Sequence, residues 1–70
     1  MSPNDEDAAI REAQGYIAEY DAWATEARIR AADPRIGFIT RIHWETMAIR
    51  MERASFEART ELKDFLESIK

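Results

Sequence analysis

The sequence predicts an all-α protein folded as an antiparallel two-helix hairpin, and three observations carry that expectation. Only two glycines and two prolines occur in 70 residues, which leaves little room for the turns that strands require. Both prolines stand where a helix starts well, Pro3 behind Ser2 and Pro34 behind Asp33. Between and beyond them, apolar residues recur every three or four positions, the period of one helical face.

The first helix is expected over about 3–31. Ser2 caps it, Pro3 suits its first position, and Asp5 reaches back as a short-armed capping box. Asp5, Glu6 and Asp7 then lie near the positive end of the helix. Gly15 interrupts at a cost of ~1 kcal/mol relative to alanine. The inward stripe is Ile10, Ala13, Ile17, Tyr20, Ala24, Ala27 and Ala31, widened on one flank by Tyr16 and Trp23.

The turn falls at 32–34, because a residue before proline avoids helical geometry and Asp33 caps the second helix. That helix is expected over about 34–69, with Gly37 in its first turn. An alternative is a kink near Ala54-Ser55 that makes a third helix of 56–69, although neither proline nor glycine is there to cause it. At 1.5 Å per residue the two helices would be roughly 43 and 54 Å long, and so short a connection forces them antiparallel.

Helix 2 shows two apolar faces. Ile36, Met47, Met51, Ala54, Ala58, Leu62, Phe65 and Ile69, flanked by Trp44, Ala48 and Leu66, are expected to cover helix 1. Phe38, Ile42, Ile49 and Phe56 lie on roughly the opposite side at 100° per residue. One helix cannot turn both faces to the same neighbour. A contiguous patch of this kind marks an interface, so Phe38, Ile42, Ile49 and Phe56 are the candidate dimer or partner surface. A homodimer forming a four-helix bundle is the simplest solution, because symmetry lets one patch bury itself.

The need for such burial follows from size. Of 32 apolar residues twelve are alanine, and no cysteine is present to staple the fold. A single core in a chain this short rarely supplies more than ~3–5 kcal/mol.

Charge is unevenly spread over the net −4. Residues 1–27 carry −6, residues 28–53 carry +3, and the remainder −1. Glu12, Glu19 and Glu26 stand seven apart, as do Asp5 and Asp33 in the same series, so the first four line one side of helix 1. They form a candidate acidic face for a basic protein surface, or else a solvated flank paired with arginines. Arg28, Arg30, Arg35 and Arg41 surround the turn and form a candidate anion patch. The simpler reading is that Arg28 and Arg30 complement the negative end of helix 1.

Catalysis is not expected. His43 is the only histidine, and Thr40 and Thr46 occupy the positions a Glu-x-x-His or His-x-x-Glu metal pair would need. Without cysteine, without a histidine near Ser2, Ser55 or Ser68, and with only Gly15 and Gly37 for a phosphate loop, no nucleophile or nucleotide site is recognisable. No catalytic residue, metal or cofactor is expected. The acidic amino terminus and a mean hydropathy of −0.53 point to a cytoplasmic chain with no membrane span. No specific nucleic-acid binding is expected from the charge.

The function expected is therefore that of a small interaction module, partnered by itself or by a larger protein. Its acidic face would regulate or inhibit a basic target, by analogy with phage-encoded inhibitors of nucleic-acid-handling machines. The alternatives are an arginine-bearing hairpin dimer that binds nucleic acid, and an accessory helical subunit of a larger enzyme.

Overall fold

Uninterrupted helix formers between Pro3 and Ala31 give α1, and those from Phe38 to Ser68 give α2. This is the architecture of a computed structural model that describes residues 3–70. The capping role expected of Ser2 lies outside the described residues. Asp5 and Glu6 occupy the first turn of α1, and Arg28 and Arg30 its last, so charge complements the helix dipole at both ends. The two helices pack against each other, and no strand occurs among the described residues. The all-α hairpin is the fold, and α2 runs as one element through Ser55 with no separate third helix.

The turn is longer than the sequence indicates, and α2 starts at Phe38 rather than at residue 34. The reason lies in what Asp33 does. Its carboxylate accepts hydrogen bonds from the Arg35 backbone N–H (2.9 Å) and from the Arg35 guanidinium (3.0 and 2.9 Å). The cap that Pro34 should have enjoyed is thereby turned into an Asx turn. Ile36 N–H donates to the Asp33 carbonyl at 3.4 Å, closing a single turn that does not propagate. Gly37 then adopts an extended backbone (φ −76°, ψ 170°) and caps α2 without a side chain, its carbonyl accepting from Arg41 N–H at 3.0 Å.

The interhelical core follows a seven-residue repeat. On α1 the series Ile10, Ile17, Ala24, Ala31 and Ala13, Tyr20, Ala27 faces inward, and every member is buried or half-buried. On α2 the corresponding series is Arg41, Ala48, Ser55, Leu62 and Trp44, Met51, Ala58, Phe65, again buried or half-buried throughout. Among the described residues the buried positions are nearly all small, namely Ala24, Ala27, Ala31, Ala48 and Ser55, with Ile17 the one large side chain. The sequence reading centres α2 on Met47 and Ala54 and sets Ala48 on the flank. Ala48 is instead the most buried of the described residues, at 0% exposed. Small residues along the seam let the two helices approach closely, and a larger side chain would hold them apart.

The result is a rod of 52 × 16 × 12 Å with a radius of gyration of 16.0 Å. A compact 70-residue domain would have a radius of about 11 Å. Elongation leaves much of the apolar surface uncovered.

Candidate interaction surfaces

The two long sides of the hairpin differ in chemistry. One side is polar. Asp21 accepts from Ser55 Oγ at 2.5 Å and from the Arg59 guanidinium, which also donates to Ser55 Oγ at 3.2 Å. One heptad further along α1, Arg28 grips Glu52 through Nε (2.9 Å) and a terminal nitrogen (2.6 Å). Seven residues up α1 thus correspond to seven residues down α2, as an antiparallel register demands. Periodicity alone does not single out Asp21, Glu52, Ser55 or Arg59 as partners, because they announce no motif. A buried serine opposite a carboxylate is visible only once the helices are paired.

The Ser55 hydroxyl, and then the Arg59 guanidinium, hold the Asp21 carboxyl below its ordinary value of 3.8. The Asp33 carboxyl is lowered as well, chiefly by the Arg35 guanidinium and its backbone N–H. A carboxyl lowered on folding stabilises the fold above its unfolded value and loses that contribution as the pH falls through the folded value. We expect the melting temperature to drop on acidification from about pH 6 to below about pH 4. Asp21→Asn should melt lower than the parent at the upper pH and lose less on acidification. Circular dichroism melts across that range check both statements.

The other side is aromatic. Tyr16 stacks on Tyr20 with ring centroids 6.5 Å apart, and the Arg30 guanidinium lies 4.8 Å over the Trp44 ring. Trp23, His43, Trp44, Met47 and Met51 line a hollow of about 320 Å³. His43 packs edge-on against Trp44 at 5.0 Å and takes its place in this hollow as an exposed edge residue. No group of three or more metal-ligating side chains converges among the described residues.

Glu12, Glu19 and Glu26 sit immediately beside this aromatic side, at alternating positions with Tyr16 and Trp23. The resulting stripe on α1 reads Glu12, Tyr16, Glu19, Trp23, Glu26, with spacings of four and three. Tyr16 is 50% and Trp23 51% exposed. Glu19, Trp23 and Glu26 line a shallow hollow of about 250 Å³. Glu26 pairs with Arg30 at 2.9 Å, whereas Glu12 and Glu19 have no ion-pair partner among the described residues. The sequence reading treats the acids as one feature and the aromatics as a core flank. The structure joins them.

Arg28, Arg30, Arg35 and Arg41 do gather around the turn, but each is engaged within the hairpin. Arg28 is held by Glu52, Arg30 by Glu26 and Arg35 by Asp33. Arg41 donates to the Asp33 carbonyl at 3.4 Å, and its Nε is buried without a partner. Three of the four guanidinium groups are thus paired with carboxylates.

The outer side of α2 carries Phe38 (75% exposed), Ile42 (43%), Ile49 (51%) and Phe56 (70%). Ile39, absent from the expected set, joins them at 74%. All five are exposed, and Ile39, Ile42, Ile49 and Phe56 recur at spacings of three and seven along one side of α2. Among the described residues no helix is long and apolar enough to cross a membrane. The chain matches no protein-family model, no curated protein and no solved structure.

Proposed function

We propose that this chain is a non-catalytic interaction module that works by binding. In this reading copies associate through the outer face of α2, and the mixed stripe of α1 docks on a basic protein surface. The observation that carries the reading is an imbalance of burial. Only one large side chain, Ile17, is buried, while ten large apolar residues are exposed among those described. A hairpin so lightly filled depends on covering its outer faces, and patches of this size are where proteins bind one another.

The α1 stripe supplies the direction of the charge. Carboxylates at Glu12, Glu19 and Glu26 attract cationic side chains, and the exposed rings of Tyr16 and Trp23 offer faces on which an arginine or lysine can rest. The hollow between Glu19, Trp23 and Glu26 has both elements in one place. Occupying a basic surface in this way would regulate or inhibit whatever that surface normally binds.

The test uses lysine- and arginine-rich helical peptides, with the protein's own tryptophan fluorescence as the signal. The account expects binding that weakens with added salt. Glu12→Gln, Glu19→Gln and Glu26→Gln together should slow association about tenfold at low salt, because rim charges act on encounter rate. The same triple variant should melt almost unchanged, since exposed ion pairs contribute ~0–1 kcal/mol. Basic peptides that leave the fluorescence unaltered, or a triple variant that melts far lower and binds as before, would overturn this reading of the stripe.

A further inference from the structure

We propose that α2 pairs antiparallel with α2 of a second copy, with Ile49 on the two-fold axis. The proposal rests on the reading that the outer face of α2 binds another copy, and it adds the register and direction of that pairing. Ile39, Ile42, Thr46, Ile49, Arg53, Phe56 and Thr60 recur at spacings of three and four along the exposed side of the helix. This is a second heptad seam, set about 150° from the one that packs on α1. It spans from Ile39 to Thr60, roughly 32 Å of helix.

The area fits a second copy. The chain exposes 5468 Å², whereas a compact monomer of its mass would expose about 4,500 Å². The excess, about 1,000 Å², is close to the ~800 Å² that each partner buries in a standard-size interface.

Charge decides the direction. Glu45, Arg50, Arg53 and Glu57 border or interrupt the seam, two of each sign, and none has an ion-pair partner among the described residues. Their neighbours Glu52 and Arg59, on the side facing α1, are both paired. A strongly basic or strongly acidic partner would leave half of this set opposed by like charge. Parallel pairing of two copies would set Arg53, which lies within the seam, against its own equivalent. Antiparallel pairing about Ile49 places Arg53 opposite Glu45 of the second copy and Glu57 toward the second copy's His43. Only Arg50 then meets its own equivalent, on the solvated rim. The same operation sets Ile42 against Phe56 and Phe38 against Thr60, large against smaller side chains at both ends.

Pairing through this face arranges the four helices in a row, with the two α2 helices central and the two α1 helices outermost. Both stripes containing Tyr16 and Trp23 remain uncovered, so the dimer presents two copies of the docking surface. Bivalence of this kind raises avidity without any new contact, where the target offers two sites.

The test is a distance. The chain has no cysteine, so Asp64→Cys carries a single nitroxide at an exposed position. Asp64 lies fifteen residues beyond Ile49, and antiparallel pairing therefore separates the two labels by about 45 Å along the helices. Parallel pairing would bring them within about 20 Å. Sedimentation of the same labelled sample reports its mass. A dimer with labels near 45 Å supports the proposal. A dimer with a short separation overturns the direction while leaving self-association intact, and a monomer overturns both. Charge reversal gives a second arm: Glu45→Arg and Arg53→Glu should each weaken the dimer about tenfold, and the double variant should recover most of that loss. Additive weakening in the double variant would overturn the register.

Discussion

Ala48→Leu is expected to lower the melting temperature by roughly 5–25 °C, given ~1–3 kcal/mol for overpacking and ~4–8 °C per kcal/mol in a domain this small. Ala48 has no exposed surface, and the buried positions of α1 along the seam are Ala24, Ala27 and Ala31 beside Ile17. Three added carbon atoms find no void there. They must push the helices apart, which also stretches the Asp21–Ser55 and Arg28–Glu52 contacts on the polar side. A core expected to supply ~3–5 kcal/mol cannot absorb that loss comfortably. The control is Ala18→Leu on an exposed position of α1, where a change within ~0.5 kcal/mol is expected. Thermal melts at one protein concentration compare the two. Equal melting of the Ala48 and Ala18 variants would mean that the closest approach of the helices lies elsewhere.

Ile49→Asp acts on association instead. The proposed axis brings two copies of residue 49 together, so one substitution places two carboxylates in a single desolvated contact. Burying an uncompensated charge costs several kcal/mol. Dissociation constants should rise about 100-fold or more, since each 1.4 kcal/mol is tenfold. The parent should melt higher as its concentration rises, because only the folded chain dimerises, and the variant should lose that dependence. Ile49→Ala separates repulsion from lost area, with an intermediate effect expected. Ile49 is half exposed within its own hairpin, so helicity at high concentration serves as the check that the variant still folds.

The α1 core face is legible from the sequence because apolar residues fill every seam position from Ile10 to Ala31. On α2 the seam positions include Arg41 and Ser55, while Met47 and Ala54 lie just beside it. Hydrophobicity therefore points slightly to one side of the true contact line. Ser55 is admitted to the core because Asp21 satisfies its hydroxyl, a pairing that exists only between helices. The turn misleads for a related reason: Asp33-Pro34 is a strong start signal, and Arg35 competes for the carboxylate that would have made it one.

Phe38, Ile42, Ile49 and Phe56 are legible as an outer face because a second apolar stripe on one helix has nowhere inside the hairpin to go. Ile39 completes it only when the stripe is counted as a seam of alternating three and four. Glu12, Glu19 and Glu26 are plain in the sequence. Their alternation with Tyr16 and Trp23 becomes meaningful once both rings prove half exposed. The arginines behave oppositely, since their clustering is visible in sequence and their neutralisation by Glu26, Asp33 and Glu52 is not.

The central claim is that this hairpin completes itself by covering its outer faces, beginning with a second copy on α2. Sedimentation equilibrium of the unmodified chain, over about 1–100 µM, tests it most directly. The account predicts a species of twice the 8.1 kDa chain mass that dissociates on dilution. A folded, stable species of 8.1 kDa at every concentration would contradict it.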